Sequence, residues 1–321
     1  MLTFNKGVIM KNVLKSILFI FILLVLTEII TILFLPKDML KKYGFKATVT
    51  YPILEEQPNT IDAIVLGDSL VYSSVSPMEI WDQYGYPVYD CAEAAESMKE
   101  SYESLKIAID HEHPKIVLFE TNMLFRNPNK KPWYYKVKRK ILQYIPITKY
   151  HNDWKRRGTA PENNIADVDK GYIYVTKKEK YKPIDNKKNL HKARKILPGN
   201  MEYLKKMIKL CEDNNVKFTL ISNPSQVSWR YSKHHASEKI SKEYQLDYLD
   251  LNIIEDELGI DWANETKDDG DHLNHSGAKK VSAYIGKYLK ETKLLTDKRN
   301  DPQYKVWNKA SIIYNNHSDN Y

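Results

Sequence analysis

From Ser16 to Leu35 the chain reads SILFIFILLVLTEIITILFL, twenty residues with a single charge, Glu28. A run of that length and hydropathy spans the hydrocarbon core of a bilayer. It is longer than the core of a typical signal peptide, and no small-x-small cleavage pattern follows it, so it reads as an uncleaved anchor. From Ile61 onward the pattern changes to short apolar runs bounded by turn residues: Ile61–Gly67, Pro87–Cys91, Lys115–Glu120, Val216–Ser222 and Leu246–Leu249. Runs of this kind predict strands buried on both faces. Between them lie segments with helical spacing. Met98–His111 is one. Asn200–Asn214 sets Met201, Leu204, Met207, Ile208 and Cys211 on one stripe, and Ser276–Lys290 does the same with Ala278, Val281, Tyr284, Ile285 and Leu289. Strands alternating with helices predict an α/β fold with a mainly parallel sheet and right-handed crossovers. The working crevice of such a sheet lies beyond the C-terminal ends of its strands.

The pattern divides the chain into a tail (1–15), the anchor (16–35), a polar connector (36–60), an α/β domain (61–295) and a polar tail with scattered aromatics (296–321). One segment, 126–198, breaks the alternation and is too long for a plain loop, so it predicts an insertion with some structure of its own. Its first part is basic, with Lys136, Lys138, Arg139 and Lys140 near its centre and Trp133, Tyr134, Tyr135 and Tyr144 interleaved. A solvated face explains such a stretch; an electrostatic footing on anionic lipid or on a polyanionic glycopolymer is the sharper reading. The net charge of +8 agrees with either. Lysines flank the anchor on both sides, so charge bias does not orient it. A short tail inside and a large domain outside is the default adopted, which leaves no role for nucleic acid. Glu28 within the span is a protonated side chain or a contact with a second membrane protein. There is no zinc-type Cys/His cluster, no Walker loop and no GxGxxG, so neither a metal nor another cofactor is expected. The two cysteines, Cys91 and Cys211, read as free buried thiols.

The candidate chemistry sits at two distant places. Gly67-Asp68-Ser69 closes the first strand, where a serine would project from a strand end. A serine hydroxyl is a weak nucleophile until a base takes its proton. Far along the chain, "DDGDHLNHSGAKKVSAYIGKYL" places Asp269 three residues before His272, just ahead of a helix. One short loop can therefore supply both a base and the acid that orients it. His275, with Asp271 four residues before it, is the alternative base. Asp68 reads as a structural hydrogen-bonding residue, and Asn274 and Gly277 as helix-entry residues.

Gly-Asp-Ser after the first strand, paired with Asp-x-x-His before the last helix, resembles the SGNH/GDSL hydrolase superfamily over roughly 61–290, the insertion excepted. The resemblance implies a flavodoxin-like three-layer sandwich, here preceded by one transmembrane helix, and a serine esterase or acyltransferase. It implies Ser69 as nucleophile, His272 as base and Asp269 as orienting acid. It further implies an oxyanion hole from the Ser69 N–H, a glycine N–H after the second strand and an asparagine after the third. Asn122 in "FETNMLF" matches the asparagine. "VYDCAEAAES" has no glycine, and Ala92 falls at the expected place. In layout the chain is similar to the membrane-tethered D-alanyl-lipoteichoic acid biosynthesis and alginate O-acetylation proteins. That implies acyl transfer to a surface glycopolymer beside an integral-membrane O-acyltransferase. Hydrolysis of acyl esters, or an inactive envelope adaptor, are the alternatives.

Overall fold

The computed structural model describes residues 6–34, 37–127, 133–134, 137, 167–181 and 192–318. The described residues fall into two compact units, 1–52 with 132–164, and 53–131 with 165–321. In the first unit, α1 (Lys6–Phe34) carries the apolar window Met10–Ile29, long and apolar enough to cross a membrane. α2 (Lys37–Thr50) follows and is kinked at Gly44, where φ is 77°. Most of the basic stretch of the insertion lies outside the described residues; within it Trp133 and Tyr134 are exposed.

The second unit is built on five parallel strands: β1 (Ala63–Gly67), β2 (Val88–Ala92), β3 (Ile116–Glu120), β4 (Lys217–Ser222) and β5 (Asp247–Asp250). Their order is β2-β1-β3-β4-β5, the flavodoxin-like doubly wound order. The expected α/β fold is therefore present, each expected strand matching an observed one to within two residues. β1, in the interior of the sheet, is buried along its whole length. Its alternate residues serve two faces. Ala63 and Val65, with Ile116 and Leu118, join the core closed by α4 (Pro77–Tyr84) and α9 (His275–Thr292) through Ile80, Val281, Ile285 and Leu289. Ile64, Leu66, Val117 and Phe119 are equally buried, on the face where α5 (Met98–Glu112) and α6 (Pro198–Asp213) pack. α5 starts at Ser97 in a capping box with Glu100, which satisfies two backbone donors at once.

Several parts were not legible as elements. α7 (Tyr231–Tyr244) has charges on most of its surface and a weak apolar stripe of Ala236 and Ile240, and the single-turn α8 (Glu255–Leu258) follows β5. The region expected to be a tail ends in α10 (Lys305–Ser318), which belongs to the same unit as the sheet. Trp307 tilts against Trp81 at 5.2 Å, and the buried Tyr314 hydroxyl lies 2.8 Å from Ser76 Oγ. The described end of the insertion, 167–181, is part of this core as well. Lys170 O accepts from Asp90 N and Val175 O from His275 N. The Lys170 ammonium is fully buried on the Glu56 carboxylate, at 2.7 and 2.8 Å. The connector expected over 36–60 likewise ends early, since Ile53 and Leu54 are already core residues. Cys91 and Cys211 are both free and buried.

Candidate active site

Gly67 ends β1 because a Cβ there would collide with the side chains of Val71 and Glu120. The chain then turns sharply into the single-turn helix α3 (Val71–Ser74), and Ser69 stands at the C-terminal end of the sheet. The buried Asp68 carboxylate holds this turn. Its Oδ1 accepts from Leu70 N at 3.0 Å, and its Oδ2 from Arg126 Nη2 at 2.5 Å and Asn122 Nδ2 at 3.2 Å. Asp68 is thus a brace between three segments, as its sequence context implied.

The far loop meets the serine directly. His272 Nε2 lies 2.8 Å from Ser69 Oγ, and His272 Nδ1 lies 2.6 Å from Asp268 Oδ2. A carboxylate only accepts, so Nδ1 carries the proton and Nε2 presents its lone pair to the serine hydroxyl. Burial works to raise the Asp268 carboxyl, but hydrogen bonds from the His272 ring and the N–H groups of His272 and Asp271 hold it below the usual range.

The orienting acid is therefore Asp268, and the expectation for Asp269 is corrected. The loop is a tight hairpin. Thr266 pairs with Leu273 across it, and Lys267 N donates to His272 O. Asp268 then stands on the rung opposite Asp271, next to the histidine, while Asp269 and Gly270 form the tip. Gly270 has φ of 82°, which favours glycine, and the ring of Tyr181 covers it so closely that a Cβ would not fit. Asp269 is exposed at the tip. A spacing rule in one dimension could not show that the turn moves the partner from three residues to four.

His275, the alternative base, points elsewhere. Its Nδ1 lies 3.3 Å from the Tyr172 hydroxyl and 3.4 Å from that of Tyr314, and Tyr174 packs on its ring at 4.3 Å. Burial, aided by the Lys279 charge, pushes its pKa down to about 4.

Asn122 lies in the 3-10 turn Thr121–Phe125 that follows β3. Its N–H is anchored on Glu120 Oε1 at 3.0 Å. Burial, then the neighbouring Asp68 charge, pushes the Glu120 carboxyl up to about 8. Lys233 Nζ donates to Asn122 Oδ1 at 2.6 Å. A lysine only donates and an aspartate only accepts, so the carboxamide is fixed with Oδ1 toward Lys233 and its NH2 toward Asp68. Lys233 is itself pushed down to about 8 by burial and then by the Arg194 charge. Sequence reading missed it, because its helix carries no motif. Leu70, Asn122, Trp229 and Lys233 line a shallow open hollow beside the serine turn, at the strand ends.

Ala92 is the residue expected to give the second oxyanion donor. It is the last residue of β2, in register with Gly67. The backbone that suits a glycine lies three residues on. Glu96 N donates to Glu93 O across a four-residue turn, and Ala95 within it has φ of 54°. This is the left-handed region, which costs a residue with a Cβ about 1–2 kcal/mol. Arg126 Nη1 reaches Glu96 O at 3.5 Å while its Nη2 holds Asp68, so one guanidinium ties this turn to the serine turn.

No family model matches the chain, and no curated protein matches it. Solved structures of similar fold include the psychrotrophic esterase EstA from Pseudoalteromonas sp., at 13% identity and TM-score 0.41, covering 72% of this chain and 97% of that one. The lipase/acylhydrolase from Enterococcus faecalis is similar at 12% identity and TM-score 0.40, over 73% and 97% of the two chains. A GDSL-like lipase from Bacteroides thetaiotaomicron is similar at 10% identity and TM-score 0.40, over 78% and 98%. The functional reading below rests on the site geometry and not on these similarities.

Proposed function

We propose that this protein is a membrane-anchored serine acyl-transfer enzyme of the SGNH/GDSL type. The observation that carries the proposal is the continuous Ser69–His272–Asp268 hydrogen-bonded chain, with 2.8 and 2.6 Å links. Ser69 Oγ attacks the carbonyl carbon of an ester or thioester as its proton passes to His272 Nε2. Asp268 holds the ring and stabilises the imidazolium. The oxyanion is received by the N–H of Ser69, the NH2 of Asn122 and the N–H of Ala95 rather than that of Ala92. Collapse expels the first alcohol or thiol with the proton from His272 and leaves an acyl-Ser69 ester. A second hydroxyl, deprotonated by His272, then takes the acyl group and regenerates the serine.

The finer reading is that this second acceptor is a hydroxyl of a cell-surface polysaccharide or teichoic-type polymer. The apolar anchor, the basic aromatic stretch near 130–157 and the Glu28 carboxylate within the span support it, the last as a contact for an integral-membrane O-acyltransferase. With water as acceptor, the same site is an esterase. One experiment separates these. The full chain in detergent is given an activated acetyl ester, and the acetyl-Ser69 adduct is trapped by acid quench and located by mass spectrometry. Its decay is then followed with and without a teichoic-type or polysaccharide acceptor. Acetylated polymer marks a transferase. Decay to acetate alone marks an esterase, and absence of any adduct overturns the catalytic assignment in favour of an inactive adaptor.

A further inference from the structure

Helix α7 carries the sequence YSKHHASEKISKEY, with His234 and His235 adjacent and Glu238 one turn later. Residues three and four apart are neighbours on a helix, so Glu238 lies above both imidazoles at once. One nitrogen of each ring and one Glu238 carboxylate oxygen all fall within 4.8 Å of one another. The surroundings prepare this trio in two independent ways. His234 Nδ1 donates to Asp250 Oδ2 at 2.7 Å, which leaves the Nε2 lone pair unprotonated. A carboxylate behind the ligating imidazole is the usual outer partner of a metal-bound histidine. Asp250 is itself fixed by the Tyr248 hydroxyl at 2.9 Å and Trp229 Nε1 at 3.0 Å. His235 Nε2 is buried with no hydrogen-bond partner among the described residues, a costly state for a ring nitrogen. Glu238 is half exposed and spends one oxygen on Lys242 at 2.8 Å, so the other is open.

We propose that His234, His235 and Glu238 bind a divalent transition-metal ion of the zinc class, at a site separate from Ser69. Two imidazoles and one carboxylate favour zinc, cobalt or nickel over magnesium or calcium, which prefer oxygen ligands. Ligand atoms about 2.0–2.2 Å from one tetrahedral ion lie roughly 3.4 Å apart, so the trio closes by up to about 1.4 Å, within reach of a Glu238 rotamer change. A water completes the fourth position. The ion fastens α7, whose Lys233, next to His234, holds Asn122 in place, and it takes no part in the acyl chemistry.

The test uses the full chain in detergent, free of affinity tags and stripped with a chelator, titrated with cobalt(II) and then with zinc(II). The expected result is one equivalent of cobalt bound with the intense visible absorption of a tetrahedral site, displaced by zinc, and a melting temperature raised by zinc. Glu238→Gln and His235→Ala should each weaken cobalt binding at least tenfold and abolish the melting shift. Glu238 is half exposed, so its variant keeps the fold, checked by an unchanged circular dichroism spectrum in the absence of metal. No saturable binding by the wild type, or equal affinity in Glu238→Gln, overturns the proposal.

Discussion

Two histidines three residues apart, His272 and His275, show how neighbours in sequence are given opposite tasks. Both precede or begin the same helix, and both have a carboxylate nearby. His272 is partly exposed, with an ionised aspartate on one nitrogen and a hydroxyl on the other. His275 is buried among tyrosine rings, with Glu79 at 3.5 Å, and Lys279 also bears on it. A base must accept a proton during turnover and have its cationic form stabilised. At His272 a carboxylate and a hydroxyl line the path the proton would take, while burial opposes a charge on His275. The presence of an imidazole beside an acid does not identify a base; the polarity of the remaining shell does.

The comparison breaks first at the serine relay. Ser69→Ala and His272→Ala should each lower turnover of an activated aryl acetate by at least about a thousandfold, while His275→Gln retains turnover within a few-fold. Loss in the His275 variant alone would reverse the two roles. Asp268→Asn should cost roughly a thousandfold by presenting the wrong tautomer, and Asp269→Asn, at the hairpin tip, less than about twofold. Equal losses would mean that the loop rearranges before reaction. Asn122→Ala should cost on the order of a hundredfold in kcat with little change in KM. Lys233→Met should cost about tenfold in kcat through release of the same carboxamide, and should add little to the Asn122→Ala loss in the double variant.

The histidine contrast also makes a prediction for stability against pH. The folded-state pKa of His275 is about 4, below its ordinary 6.5. Between these values the unfolded chain binds the proton and the folded one does not, so stability rises with pH. The stabilisation is present above about 6.5 and is lost as pH falls toward 4. Chemical denaturation at several pH values should show a shallower slope in His275→Gln than in wild type across that window. The smallest expected effect is at the second turn. Ala95→Gly relieves left-handed backbone strain but adds chain entropy to the unfolded state, so it should change stability by no more than about 1 kcal/mol. It should leave the Ser69 reaction rate within about twofold.

The strands and the meeting of Ser69 with His272 were legible because each follows from local pattern: a buried apolar run, then a motif residue beside it. Asp268 was not, because a hairpin decides which of several neighbouring aspartates meets the His272 ring. Lys233 was hidden for another reason. It sits on a helix whose pattern is almost wholly polar, and only the three-dimensional contact with Asn122 distinguishes it from a surface lysine. Lys170 was likewise invisible, since its buried partner Glu56 lies 114 residues away.

The distance along the chain between Ser69 and its base has a consequence for biosynthesis. The two are separated by 203 residues. At usual translation speeds the ribosome takes roughly 10–40 s to cover that interval. β1 and both strands that flank it precede the base in order of synthesis, so the serine turn can be in place long before the hairpin of Thr266–Leu273 exists. A nascent chain, or a fragment released early, therefore exposes a serine that no imidazole can deprotonate. In the proposed mechanism, acyl chemistry begins only when the hairpin and helix α9 have emerged and docked, so the order of synthesis itself keeps incomplete copies inert.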